Sequence, residues 1–178
     1  MKQNGKICKL ATVRMKHDNF YQSLKAPRGG ASSGIRRRVP VSIATYLSPS
    51  LACCPLERLE AHVRELEELG ADMLHVDIMD GDFVANYCLG TEFVPLLHRI
   101  TRLPLDVHLM VQRPEQKIDY FDIGPRDYMV VHAESTPHVQ KALAAIHARG
   151  ARAGLALNPA TPLEACRWVL DDVDLLLI

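Results

Sequence analysis

The chain has 178 residues, 48% of them hydrophobic, with 21 basic residues against 21 acidic. That length and apolar fraction suit one domain with a sizeable core and exclude a disordered chain. No apolar run approaches the roughly 20 residues of a membrane-spanning helix, and five irregularly spaced cysteines without a Cys-x-x-Cys argue against a disulfide scaffold and for a reducing compartment.

Charge divides the chain in two. Residues 1–40 hold ten Lys/Arg against the single acid Asp18, a net +9, and residues 41–178 hold eleven basic and twenty acidic residues, a net −9. Residues 1–40 have weak hydrophobic periodicity, Gly-Gly at 29–30, Ser-Ser at 32–33 and the run Arg36-Arg37-Arg38. Three readings compete for this arm: a contact for nucleic acid or another acidic surface, an organellar transit peptide, and an unstructured extension. The last is favoured, so residues 1–40 are expected to be disordered and to pack little against the rest. A nucleic-acid role rests on the arm alone and is disfavoured. Nothing in it resembles a secretory signal.

From residue 41 short apolar runs alternate with amphipathic stretches. Strands are expected over 41–47, 73–79, 105–110, 128–132, 152–157 and 173–178. Helices are expected over 55–69, 91–100, 114–121, 137–149 and 162–170. In the first helix Leu56, Leu59, Val63, Leu66 and Leu69 keep helical spacing, with Pro55 in the first turn and Gly70 beyond the end. Strand–helix alternation at this pace implies a parallel sheet with right-handed crossovers. No GxGxxG or GxxxxGK[ST] supports a doubly wound nucleotide binder. A β/α barrel needs eight strands and six are legible, the last stopping inside the apolar run 175–178; this reads as truncation. The first and sixth strands would then each keep an unpaired edge, which favours association.

Alternate residues of a strand share a face. In the second strand His75, Asp77 and Met79 oppose Leu74, Val76 and Ile78; in the third, Asp106, His108 and Met110 oppose Leu105, Val107 and Leu109. The apolar faces must pack on helices, so the polar faces point inward, where charge is costly unless paired or metal-bound. One such strand would read as satisfied core histidines, His75 on Asp106 and His108 on Asp77. Two in one chain favour a divalent metal site at the C-terminal strand ends. His132 and Glu134 can line the same pocket. Ser50 either reaches a ligand or caps the next helix; Asn158-Pro159 is either a turn or a pocket wall. Asp80-Gly81 reads as turn chemistry, and the cysteines as structural.

Ser48-Pro49-Ser50-Leu51, His75-Val76-Asp77-Ile78-Met79-Asp80-Gly81, Leu105-Asp106-Val107-His108-Leu109-Met110, His132-Ala133-Glu134 and the run Gly154 to Pro162 together resemble the ribulose-phosphate 3-epimerase family in order and spacing. The resemblance runs from about residue 43 to the end. It implies an α/β fold, a (β/α)8 TIM barrel, here ending after the sixth strand. The activity implied is interconversion of D-ribulose 5-phosphate and D-xylulose 5-phosphate through an enediolate, with one divalent cation (Zn, Fe(II), Mn or Co) as Lewis acid and two carboxylates moving protons on opposite faces. By resemblance His75, Asp77 and His108 are metal ligands and Asp77 is one of the two acid/base carboxylates. Ser50 and His108 bind substrate, and Met79 and Met110 border the reacting carbon. The family's second catalytic Asp and its phosphate-binding loops have no counterpart in residues 1–178. After Gly81 the family's usual His-Phe-Val-Pro-Asn is replaced by Asp82-Phe83-Val84-Ala85-Asn86.

The partner implied is a phosphorylated ketose, with no membrane and with a homo-oligomer as an option. The location implied is cytoplasmic, with organellar import through the arm as the other reading. An allulose-6-phosphate 3-epimerase and a non-catalytic remnant are the alternative functions.

Overall fold

A computed structural model of the chain describes residues 10–15 and 45–178. Eight strands form one sheet: β1 (Leu10–Met15), β2 (Tyr46–Pro49), β3 (Leu74–Asp80), β4 (Tyr87–Cys88), β5 (Leu105–Met110), β6 (Tyr128–His132), β7 (Arg152–Ala156) and β8 (Leu175–Leu177). Among the described residues three α-helices lie between them: α1 (Leu59–Glu68), α2 (Phe93–Ile100) and α3 (Val139–Ala148). The order across the sheet is β2-β1-β8-β7-β6-β5-β3-β4. Strands β3, β5, β6, β7 and β8 are mutually parallel, as the strand–helix alternation requires. One parallel bridge, Ser50 to His75, also joins the end of β2 to β3.

The main core lies between the sheet's outer face and the helices. Leu74, Val76 and Ile78 of β3 and Leu105, Val107 and Leu109 of β5 face Val63 of α1, Val94 and Leu97 of α2 and Leu143 and Ile146 of α3. The inner face carries a smaller apolar cluster: Met73, Tyr128, Val130, Ala156 and Leu175. The two faces therefore sort as the alternation predicts, because one residue's shift would exchange them.

Three expectations are corrected. Residues 114–121 and 162–170 are not α-helices. They are 3-10 turns at Pro114–Gln116, Ile118–Tyr120, Leu163–Cys166 and Leu170–Asp172. Arg113 enters the first with φ at 51°, and few side chains there are buried (Pro114, Ile118 and Phe121; then Cys166 and Leu170), at spacings that short 3-10 pieces serve as well as a helix. Trp168, counted within the expected helix, is 87% exposed.

The third correction concerns the arm. Residues 10–15 form a strand where none was expected, antiparallel to both β2 and β8. Leu10 pairs with Pro49 and Val13 with Tyr46 on one side; Arg14 pairs with Leu176 and Met15 with Leu175 on the other. The first and sixth barrel strands are thus not left with unpaired edges. Two free edges offer a row of donors and acceptors, and a short stretch with Thr12 and Val13 has the propensity to answer them. The rest of the arm and the expected strand start at 41–44 lie outside the described residues.

Candidate metal centre and active site

The in-register parallel pairing of β3 with β5 sets His75 opposite Asp106, Asp77 opposite His108, and Met79 opposite Met110. Imidazole meets carboxylate twice across neighbouring strands. His75 Nδ1 lies 2.7 Å from Asp106 Oδ2, and its Nε2 lies 3.1 Å from Asp77 Oδ1. His108 Nδ1 lies 3.3 Å from that same Asp77 oxygen. One ligand atom each from His75, Asp77 and His108 falls within 4.8 Å of the others. The satisfied-histidine contacts are present, and the same arrangement brings together a candidate cation site. The Asp106 bond fixes the His75 ring, and the other nitrogen faces the cluster.

Of the two readings left open for Ser50, the structure shows the cap, and it adds a bond to Asp77. The Ser50 hydroxyl accepts from the Ala52 N–H at 3.2 Å, capping the 3-10 turn Leu51–Cys53, and donates to Asp77 Oδ2 at 2.6 Å. Ser48 donates to Asp106 Oδ2 at 3.4 Å, and Asp106 is fully buried with Oδ1 unpartnered. That anchoring role for Ser48 was not legible, because it depends on how β2 sits across β3.

The electrostatics follow from these contacts. Burial works against the charge of His75, but the hydrogen bonds and charges of Asp106 and Asp77 outweigh it and raise its pKa to about 10. Burial likewise opposes ionisation of Asp77, yet His108, His75 and Ser50 hold it well below the usual carboxylate range. His132 moves the other way. Burial, then the neighbouring His108, lower it to about 4 against the opposing pull of Glu134.

At the end of β6, His132 joins the cluster: its Nε2 lies 2.8 Å from His108 Nε2. Its Nδ1 lies 3.4 Å from Glu134 Oε2, and Phe83 covers it with ring centroids 4.8 Å apart. Glu134 Oε1 accepts from the Asn158 N–H at 2.8 Å and from the Thr161 hydroxyl. Asn158-Pro159 is therefore a turn tied to the site's rim. Met79 and Met110 are half-buried, one step beyond the Asp77–His108 pair.

Asp80 is the last residue of β3, paired with Tyr87 of β4, and not the loop residue its Asp-Gly context predicted; its side chain holds the turn that follows. Its Oδ1 accepts from the N–H groups of Asp82 and Phe83, both at 3.0 Å, while Gly81 turns with φ at 77°. Its Oδ2 accepts from the Gln112 N–H at 2.9 Å and Lys117 Nζ at 2.6 Å. Burial opposes its charge, and the Lys117 ammonium and three N–H groups hold its carboxyl well below the usual range. Among the described residues Cys53, Cys88 and Cys166 are free thiols.

The family model for the ribulose-phosphate 3 epimerase family matches residues 46–178. The chain belongs to this family. It is 39% identical over 132 residues to the ribulose-phosphate 3-epimerase of Bacillus subtilis (strain 168), covering 74% of this chain and 61% of the relative. It is 45% identical over 134 residues to the ribulose-5-phosphate-3-epimerase, chloroplastic, of Arabidopsis thaliana, covering 74% of this chain and 48% of that one. The ribulose-phosphate 3-epimerase of Synechocystis sp. is 39% identical over 134 residues, at 74% and 58%. The chain thus spans about half to three-fifths of the length of these relatives. Within the matched region lie all the residues that build the polar inner face, from Ser48 to Glu134. Among the described residues no helix is long and apolar enough to cross a membrane.

Proposed function

We propose that the inner face of β3 and β5 is the cation-binding part of an epimerase centre that interconverts D-ribulose 5-phosphate and D-xylulose 5-phosphate. The observation that carries this is the convergence of His75 Nε2, Asp77 Oδ1 and His108 Nδ1 around one point, within a chain of this family. Two imidazole nitrogens and an anionic carboxylate oxygen suit Zn, Fe(II), Mn or Co. A bound divalent cation would polarise the oxygens of the substrate flanking the reacting carbon.

The chain's own residues supply the rest. Asp77 is held anionic, the form that takes a proton. The Ser50 hydroxyl fixes Oδ2 of that carboxylate, leaving its orientation no freedom to drift. Met79 and Met110 narrow the space above Asp77 with thioethers that neither donate nor accept protons strongly. Epimerisation needs a carboxylate on each face of the reacting carbon, and Asp77 serves one face. The substrate class is a phosphorylated ketose. The location is cytoplasmic, supported by the thiols of Cys53, Cys88 and Cys166, with import through the basic arm as the other reading.

Deuterium uptake at C3 of D-ribulose 5-phosphate reads Asp77 alone, because removing and returning a proton on one face needs a single base. In D2O with added Zn(II) or Co(II), slow uptake is expected for the wild type and none for a folded Asp77→Asn. Equal uptake in both would overturn the acid/base role.

A further inference from the structure

We propose that His132 is a positioning residue for the cation site: its Nε2 accepts the Nε2–H bond of His108 and so fixes that ring with Nδ1 facing Asp77 and His75. This rests on the reading of His75, Asp77 and His108 as cation ligands, and extends it to β6.

The geometry couples the two contacts. The rings are tilted by only 29°, with centroids 4.9 Å apart, while their Nε2 atoms are 2.8 Å apart. They meet nitrogen edge to nitrogen edge, the arrangement that an N–H···N bond needs. Turning the His108 ring over about its Cβ–Cγ bond would exchange Nδ1 with Cδ2 and Nε2 with Cε1. The contact with Asp77 and the contact with His132 would then be lost together. His132 therefore selects the same ring orientation that presents Nδ1 to the cluster.

The proton placement is consistent along the chain. If Nδ1 of His108 offers its lone pair to a cation, its Nε2 must carry the proton and donate it. His132 Nε2 must then be the acceptor, which places the His132 proton on Nδ1. That nitrogen lies 3.4 Å from Glu134 Oε2, too long and oblique for a full hydrogen bond, so the contact is a favourable charge–dipole one. Glu134 is itself pinned through Oε1 by the 158–161 turn. Metal-bound histidines commonly donate their second N–H to a carboxylate or carbonyl, and removing that partner weakens metal affinity by about 10- to 100-fold. His132 takes that place for His108, as Asp106 does for His75.

Cobalt(II) alone is the probe, titrated into the 178-residue chain and followed by its visible d–d bands. His132→Phe keeps a flat ring but offers no acceptor. His132→Gln offers an amide oxygen near the position of Nε2. The expected result is about 10- to 100-fold weaker Co(II) binding with altered bands for His132→Phe, and recovery towards the wild type for His132→Gln. A packing role alone would favour Phe over Gln. Unchanged binding in His132→Phe, or equal losses in both variants, would overturn the proposal. If the wild type itself binds no Co(II), the ligand reading fails, and this inference with it. Should a variant fail to fold, long-range 1H–15N spectra of the zinc-loaded wild type decide the matter. They should show a proton on Nε2 of His108 and on Nδ1 of His132. The opposite His132 tautomer would overturn the assignment.

Discussion

Asp80 shows how much one carboxylate can organise. It ties the turn after β3 to Gln112 and Lys117 beyond β5, so the two loops bordering the site move as one. Removing it leaves three backbone N–H groups and an ammonium without their acceptor, at about 1–3 kcal/mol. Asp80→Ala should lower the urea midpoint accordingly, and an unchanged midpoint would refute this linkage. Its pH signature has a defined sign. The folded-state pKa is lowered, so the stabilisation is present above the ordinary aspartate value of about 3.9 and is lost as pH falls below it. Between pH 6 and pH 3 the wild type should lose more stability than Asp80→Asn, measured by urea unfolding at each pH. Gly154 acts at the same scale. A Cβ there would sit 2.6 Å from Val130 Cγ2 and 3.2 Å from its Cα, and a β-branched neighbour on an adjoining strand has little room to yield. Gly154→Ala should cost about 1–3 kcal/mol by overpacking; a neutral result in thermal unfolding would show that β6 and β7 can part.

At the scale of elements, the pairing of β3 with β5 decides the chemistry. Each strand alone carries a histidine and an aspartate in alternation, which was legible. That the partners fall at equal height, His75 beside Asp106 and Asp77 beside His108, is a matter of register. The inward face was legible because the opposite face is all Leu, Val and Ile. The helical expectation at 114–121 failed because a proline start and a few apolar residues specify a turn as well as a helix, and packing chose the turn. β1 was missed for a different reason. Six residues with no clear apolar alternation carry little local signal, and their place depends on two edges set elsewhere in the fold. In hydrogen exchange, the amides of residues 10–15 should exchange more slowly than those of an unpaired chain. Exchange at the free rate would show that the strand is not held between β2 and β8.

For the whole molecule, the sheet gathers Ser50, His75, Asp77, His108 and His132 from four separate strands and their ends into one polar cluster, with the main apolar core behind the sheet and the smaller apolar cluster on the same inner face. Proton transfer on a single face does not invert a carbon. With Asp77 as its one assigned acid/base carboxylate, the 178-residue chain should convert D-ribulose 5-phosphate to D-xylulose 5-phosphate negligibly, even while exchanging the C3 proton. Ordinary turnover in a coupled assay with added divalent metal would contradict this and require a second carboxylate within these residues.

By itself the sequence determined the alternation of strands and helices, the inward polar faces and the family, because these rest on local period and on motifs that stay contiguous along the chain. It marked His75, Asp77 and His108 as candidate ligands for the same reason. Only the tertiary structure decided that Ser48 anchors Asp106, that His132 meets His108 edge to edge, and that residues 10–15 lie between β2 and β8. Those are relations between strands distant in sequence, fixed by register and by backbone groups seeking partners, and no local pattern encodes them.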